Sequence, residues 1–399
     1  MSSPSNGPLR GVRVIDLSSV VSGPACSATL ADQGADVIKV ETLSGDLMRH
    51  SNAVTHGLAP SFISCNRGKR SIALNLKHDD GAEILWKLIH NADVFMQNFR
   101  PGAIERLGFG EPQVRARNTR IVYLSISGVG EQGPYAKKRV YDPVIQALSG
   151  FADIQSDSQS GRPRMVRTIV ADKTTGIYAA QALTAALFHR ERSGEGQHVR
   201  VSMLDTMVSF LWPEGMTAHT ILSDGDEPAK SSTHDMIFAT TDGYITVGAV
   251  SNVEWKGLCQ ALCKPHWIND PRFATQAART TNRQLRLELV GEELRDNTRD
   301  HWLQALETAD VPCAPVLRRR EVIDDPQVRA NGLVTEFDHP QVGIVRQARP
   351  AARFDRSGAA IGGPAPRLGE HTREILDEVG YSAEAISQML DEGVIGELS

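Results

Sequence analysis

The chain is 399 residues long, 41% hydrophobic and 23% charged, with a formal net charge of -5. Its length exceeds what one hydrophobic core usually organises, so two domains are expected. The weakly acidic balance leaves no electrostatic case for a nucleic-acid or anionic-membrane partner, and no uninterrupted apolar run approaches the roughly 20 residues of a spanning helix.

Residues 1–8 are polar and lack the apolar h-region of a secretory signal, so a cytoplasmic protein is expected. Residues 11–17 alternate and are β-branched. Ser22 or Gly23 can then cap a helix with Pro24 at its first position and Gly34 as its stop, and residues 35–41 read as the next strand. Two strands joined by a short helix must lie parallel, with ligands expected at the strand carboxyl ends beside the helix N-terminus. The loop between them lacks G-x-G-x-x-G, which removes the main physical support for a nicotinamide or flavin.

The α/β alternation continues. Strands are expected at 70–76, 93–98, 120–126 and 198–203, with helices at 80–91, 101–107, 142–150 and 204–212. A glycine- and serine-rich connection at 157–161 leads to Val170-Ala171-Asp172 and a long helix to about Arg192. Apolar periodicity stops at residues 222–232, where Asp, Gly, Pro and Ser dominate, and we place a linker within 211–233. It separates a large domain, residues 1–210 with 330–399, from a smaller α/β domain at 234–329. The smaller domain carries a strand at 244–248 and helices at 254–262 and 283–308.

Asp172 stands out chemically, because its carboxylate is expected where a strand ends and a helix opens, followed by the small residues Thr174, Thr175 and Gly176. Backbone N–H groups at such a place stabilise negative charge, and the same place equally suits a helix cap. Asn66-Arg67-Gly68-Lys69-Arg70, with Arg100 and Arg106, could hold phosphates or form a solvated surface. Arg162, Arg164 and Arg167 could receive a carboxylate or protect a strand edge, and Arg318-Arg319-Arg320 reads as a solvated helix face. Tyr141-Asp142 could stand over the site, or the tyrosine could be a packing residue. Cys26, among apolar neighbours, reads as a small core residue. The five cysteines (Cys26, Cys65, Cys259, Cys263, Cys313) are scattered, and the twelve histidines show no ligand spacing, so neither disulfides nor a metal is expected. No G-x-S-x-G elbow occurs.

In order, Gly23-Pro24-Ala25 with residues 34–41, Lys69-Arg70-Ser71-Ile72, Asn98-Phe99-Arg100-Pro101-Gly102, Asp172 with Thr175-Gly176, Gly194-Glu195-Gly196-Gln197 and Leu368-Gly369-Glu370-His371-Thr372 make the whole chain resemble the class III CoA-transferases. That group includes formyl-CoA, carnitine and bile-acid CoA-transferases, with alpha-methylacyl-CoA racemase as a cousin. The resemblance implies a Rossmann-like large domain built from both chain ends and a smaller α/β domain from the middle. It also implies ring-shaped subunits interlocked as a homodimer. It makes coenzyme A, carried in as acyl-CoA, and a small carboxylic acid the substrates, with no metal.

By position, the resemblance makes Asp172 the nucleophile. It puts Val20, Val21, Ser22, Leu74, Asn75, Leu76, Lys77, Asn98, Phe99, Arg100, Arg106, Arg139, Val140, Tyr141 and Asp142 around CoA. Three departures matter. Formyl-CoA transferase has a tetraglycine loop where residues 223–233 show no glycine run, which argues against formate and oxalate. Ser19, Val21 and Thr42 stand where formyl-type relatives have His, Gln and Arg. Tyr141 stands where racemases have His, which favours transfer over the alternative of alpha-proton exchange. A CoA-binding protein without catalysis is the remaining alternative, with Asp172 as a cap only. Dicarboxylic or hydroxy-acid acceptors, with succinyl-CoA or acetyl-CoA as donor, follow by family analogy.

Overall fold

The computed structural model describes residues 7–51, 58–157, 160–221 and 235–397. The chain divides into two compact units, Met1–Ser231 with Leu333–Ser399, and Ser232–Gly332. Among the described residues no helix is long and apolar enough to cross a membrane.

The larger unit is organised by strands β1 (Arg13–Asp16), β2 (Asp36–Glu41), β3 (Arg70–Leu74), β4 (Val94–Gln97), β5 (Val122–Ser127) and β6 (His198–Ser202). They run parallel in the order 3-2-1-4-5-6. The strand Ile395–Gly396 pairs antiparallel with β3, so the chain's end returns to this sheet. The helices of this unit are α1 (Ser22–Asp32), α2 (Pro60–Asn66), α3 (Asp79–His90), α4 (Ala103–Arg106), α5 (Glu111–Arg117), α6 (Asp142–Leu148), α7 (Phe151–Ile154), α8 (Val170–Ser193) and α9 (Met203–Gly215). A parallel sheet must be covered on both faces, and α1, α3 and α8 do so. Ile84, Leu85, Leu88 and Ile89 of α3 pack with Ile15, Ile38, Ile72 and Phe95 on one face. Leu30 and Ala31 of α1 and Ala179, Leu183 and Leu187 of α8 pack with Val14, Val37, Met96 and Leu124 on the other.

Close approach of α8 to α1 depends on Gly176: a Cβ there would lie 3.0 Å from the Ser22 carbonyl oxygen and 3.3 Å from the Cys26 nitrogen. The missing side chain lets the second turn of α8 reach the start of α1. The order β3-β2-β1-β4 reverses direction between β1 and β4, and ligands of such sheets bind at the carboxyl ends beside that switch.

Several elements differ from the sequence reading. No strand precedes Asp172, because Gln146 takes the backbone groups of Val166 and Thr168 that a neighbouring strand would have paired. The helix opens at Val170, so Asp172 is its third residue. Val21, not Ser22 or Gly23, holds the cap position of α1 and gives no side-chain cap. Helices α2 and α5 were not expected, although each carries Pro in its first turn.

In the smaller unit β7 (Ile237–Ala239), β8 (Tyr244–Val247) and β9 (Cys313–Pro315) form an antiparallel sheet. It carries α10 (Asn252–Ala261), α11 (Gln276–Thr281), α12 (Arg283–Leu294) and α13 (Arg299–Thr308) around Trp255, Phe273, Leu294, Trp302 and Leu306. The helix expected over 283–308 is two, because Thr298 caps a new start by accepting the His301 N–H at 3.3 Å. Arg319 and Arg320 lie exposed on the short helix Arg319–Val322. Helix α9 reaches Gly215 inside the segment read as linker, and the texture change at 222–232 lies outside the described residues. So do residues 1–6 of the polar start, 158 and 159 of the expected connection and the loop at 223–233.

Candidate active site

A loop held from below follows β1. Asp16, fully buried, accepts the Ser18 N–H at 2.8 Å, the Ser18 and Ser27 hydroxyls and the Lys69 ammonium at 3.1 Å. Lys39 donates to the Ser18 carbonyl and to Asp46, each at 2.9 Å, and Asp46 accepts the Val20 N–H at 3.3 Å. Asn98, just past β4, closes the loop from the other side, accepting from Ser19 N–H at 2.9 Å and donating to the Ser19 carbonyl at 2.8 Å. This surrounding structure holds Val20 at φ 70°, a strained conformation for a β-branched residue. Burial works to raise the Asp16 carboxyl, but the Lys69 and Lys39 charges and the two hydroxyls prevail and hold it below the ordinary carboxylate range.

Asp172 stands in a different environment. Its carboxylate, half-buried at the first turn of α8, faces Ser22 of α1, whose backbone N–H and hydroxyl work to lower its pKa. Burial, and then the charge of Asp142, outweigh them and push Asp172 up to about 6. Asp142 lies 2% exposed at the start of α6 and accepts the N–H groups of Ala171 at 2.7 Å and Asp172 at 3.2 Å. The cap position of α8 is Ile169, with no side-chain cap, so Asp172 is not the cap of its own helix. Its side chain is left to face the cavity.

That cavity, about 330 Å³, opens at the carboxyl ends of β1, β4, β5 and β6. Of the residues expected around the cofactor, Val20, Ser22, Asn98, Phe99, Arg100, Arg139, Val140 and Tyr141 line it together with Asp172. Val21, Leu74, Asn75, Leu76, Lys77, Arg106 and Asp142 are not among its lining residues. Leu74 belongs to the core, Leu76 packs on it, and the Asn75 N–H is bonded to the Val394 carbonyl at 2.8 Å.

Sequence reasoning missed Leu47, Pro101, residues 126–130, Ala136, Lys138 and Met203. The segment at 126–130 directly follows β5, where the strand-end rule could have found it. Its Gly128 leaves room for the Val140 side chain, since a Cβ there would lie 2.0 Å from Val140 Cγ2.

The basic residues divide sharply. Arg67 is bonded to Asp32 at 2.6 Å, Arg70 to Asp36 at 2.7 Å and Glu378 at 2.5 Å, and Lys69 to Asp16, so that cluster serves the fold. Arg164 pairs with Asp157, and none of Arg162, Arg164 and Arg167 lines the cavity. Among the described residues, Arg100, Lys138 and Arg139 make no ion pair and all three line the cavity, exposed. They are the cations able to meet an anionic cofactor. Cys26 is fully buried, and burial pushes its thiol far up, which excludes it as a nucleophile.

Among the described residues no group of three or more His, Cys, Asp or Glu side chains could hold a metal ion. A wider groove of about 520 Å³ in the smaller unit is lined by charges such as Arg320 and Asp324 and holds no buried titratable group.

The family described as CoA-transferase family III matches residues 9–372. The human succinyl-CoA:glutarate CoA-transferase is 33% identical, covering 97% of this chain and 90% of its own length. The formyl-CoA:oxalate CoA-transferase of Escherichia coli is 32% identical, covering 96% of this chain and 98% of its own. Among solved structures, orthorhombic Rv3272 from M. tuberculosis superposes with a TM-score of 0.82 at 31% identity, covering 93% of this chain and 99% of that one.

Proposed function

This chain belongs to CoA-transferase family III, and from that premise we propose that it moves CoA from an acyl-CoA donor to a carboxylic acid acceptor with Asp172 as nucleophile. The observation that supports this most is the state of Asp172: a carboxylate in a cavity, freed from capping, with its pKa raised to about 6. At neutral pH it is ionised, yet more basic and more nucleophilic than an ordinary aspartate.

The sequence of bonds then balances without an external energy source. The Asp172 carboxylate attacks the donor thioester carbon, the C–S bond breaks, and an aspartyl mixed anhydride and CoA thiolate form. The thiolate attacks the Asp172 carbonyl carbon, giving an aspartyl-CoA thioester and free donor acid. The acceptor carboxylate repeats both steps in reverse. Each stage exchanges one activated acyl group for another, so what the protein supplies is orientation, exclusion of water and donors for the developing oxyanion. Ser22 faces the reacting carboxylate, and α1 brings the positive end of its dipole to the same place.

Arg100, Lys138 and Arg139 would meet the CoA phosphates, and Phe99, 37% exposed at the rim, offers a face for the adenine. The relative that acts on succinyl-CoA and glutarate supports a small dicarboxylate as acceptor. A homodimer is part of the reading: Ile177, Tyr178 and Phe188 on α8 and Phe210 and Trp212 on α9 are apolar side chains left exposed on one protomer. The five free cysteines fit a reducing compartment such as the cytoplasm.

The test is intact-protein and peptide mass spectrometry after mixing the enzyme with a panel of acyl-CoAs and no acceptor. A CoA or acyl adduct on the Asp172 peptide, absent from Asp172→Ala, is expected. Deuterium exchange at the substrate alpha carbon without any adduct would instead indicate racemisation. CoA binding with neither outcome would leave a binding protein.

A further inference from the structure

Helix α8 begins without a cap of its own, since Ile169 offers no side-chain acceptor. The first N–H groups of a helix have no partner within it, and two of them are met from another helix. Asp142, in the first turn of α6, accepts Ala171 and Asp172 N–H through Oδ2, at 2.7 and 3.2 Å. Its Oδ1 accepts Gln146 Nε2 at 2.6 Å. Gln146 in turn holds the segment entering α8: its Oε1 accepts the Val166 N–H at 3.0 Å, and its Nε2 donates to the Thr168 carbonyl at 3.2 Å. Helix α6 therefore provides both the cap of α8 and the splint for its approach.

We propose that Asp142 is a positioning residue for the transfer reaction, fixing the first turn of α8 from beneath the cavity and keeping the Asp172 carboxylate more nucleophilic through its own charge. The inference rests on Asp172 being the nucleophile. An isolated helix N-terminus would stabilise ionised Asp172 and weaken it as a nucleophile. The Asp142 charge, bonded to those same N–H groups, opposes that field. The buried Asp142 carboxylate also repels a second negative charge at Asp172.

Other groups face Asp172 as well. Ser22 of α1 donates toward it, and Cys65 of α2, half-buried, feels its charge. Arg100, Lys138, Arg139 and Tyr141 line the same cavity, and none of them is paired with Asp172. Asp142 is the one among these that is both charged and bonded to the helix carrying Asp172.

The test reads the Asp172 carboxyl directly, by carbon NMR titration of enzyme labelled at aspartate Cγ, with the signal assigned by its loss in Asp172→Asn. In Asp142→Asn, which keeps an acceptor oxygen but no charge, the Asp172 midpoint is expected to fall by about one pH unit or more. With it, kcat at neutral pH falls roughly tenfold or more while the KM for the acyl-CoA donor stays within about threefold. Asp142→Ser serves the same measurement if the asparagine variant does not fold.

In the unmodified enzyme, the Ala171 and Asp172 amides are expected to be protected from hydrogen exchange despite lying in the first turn. An unmoved midpoint would overturn the proposal, as would freely exchanging amides. A tenfold rise in donor KM with kcat retained would overturn it too, by placing Asp142 against CoA. A protein that titrates as expected but transfers no CoA would support the coupling while removing the transfer reading.

Discussion

Asp16 and Asp172 are carboxylates at the same edge of one sheet, and they hold protons with opposite strength. Asp16 is the more deeply buried, yet it stays below the ordinary range because two lysine ammoniums and two hydroxyls answer the burial. Asp172 keeps partial contact with the cavity, yet burial, and after it the charge of another carboxylate facing it, push it to about 6. Burial acts in the same direction on both. What separates the two acids here is the sign of the neighbouring charge, and the neighbours are set by which helices and strands meet.

The contrast can be broken first from the Asp16 side. Lys69→Met removes a cation from a pair whose side chains are 0% exposed, leaving Asp16 under-compensated in the interior. A loss of about 3–5 kcal/mol is expected in urea unfolding. A loss under about 1 kcal/mol would mean that Lys39 and the hydroxyls suffice.

The Asp172 side is sharpened by pH. Its folded pKa is raised, so the unfolded chain ionises first as pH increases, and the native state loses stability between pH 4 and about 6. Asp172→Asn removes that cost. Above pH 6 the variant should be more stable than the parent by roughly 1–2 kcal/mol, and below pH 4 the difference should vanish. A variant no more stable at pH 8 than at pH 4, relative to the parent, would show that Asp172 is not destabilised in the fold.

The smallest effect on stability should come from Gly176→Ala. The added methyl crowds Ser22 and Ala25 at 3.0 and 3.1 Å, while alanine regains about 1 kcal/mol of helix propensity. Thermal stability should change little, whereas turnover should fall by roughly tenfold because Ser22 moves away from Asp172. Unchanged turnover would detach Ser22 from the mechanism.

Much of the architecture was legible in the sequence. The β-branched runs at 11–17, 35–41 and 120–126, each beside a helix signal, could only be parallel strands, and the carboxyl ends of the first and the last of them border the cavity. Asp172 was legible as a residue but not in its placement. The strand expected before it is absent because Gln146, twenty positions away from Val166, supplies the hydrogen bonds a strand would have needed. The cap reading of Asp172 failed for the same reason, since Asp142 caps α8 across 30 residues, and no local pattern shows that. The basic run at 66–70 advertised its charge but not its partners. Asp16, Asp32 and Asp36 come from separate segments and take Lys69, Arg67 and Arg70 away from any ligand. Among the described residues Arg100 and Arg139 have no such acids, and that difference appears only in three dimensions.

Covalent carriage of the acyl and CoA groups by Asp172 is the step on which the proposed transfer depends. A single-turnover reaction with acceptor dicarboxylate labelled by oxygen-18 in both carboxylates tests it most directly. The labelled carboxylate attacks the aspartyl-CoA thioester, and when thiolate cleaves the resulting anhydride, one labelled oxygen stays on Asp172. A peptide containing Asp172 that is 2 Da heavier is expected, with no gain elsewhere in the chain. Product CoA ester formed in full with no label on that peptide would contradict it.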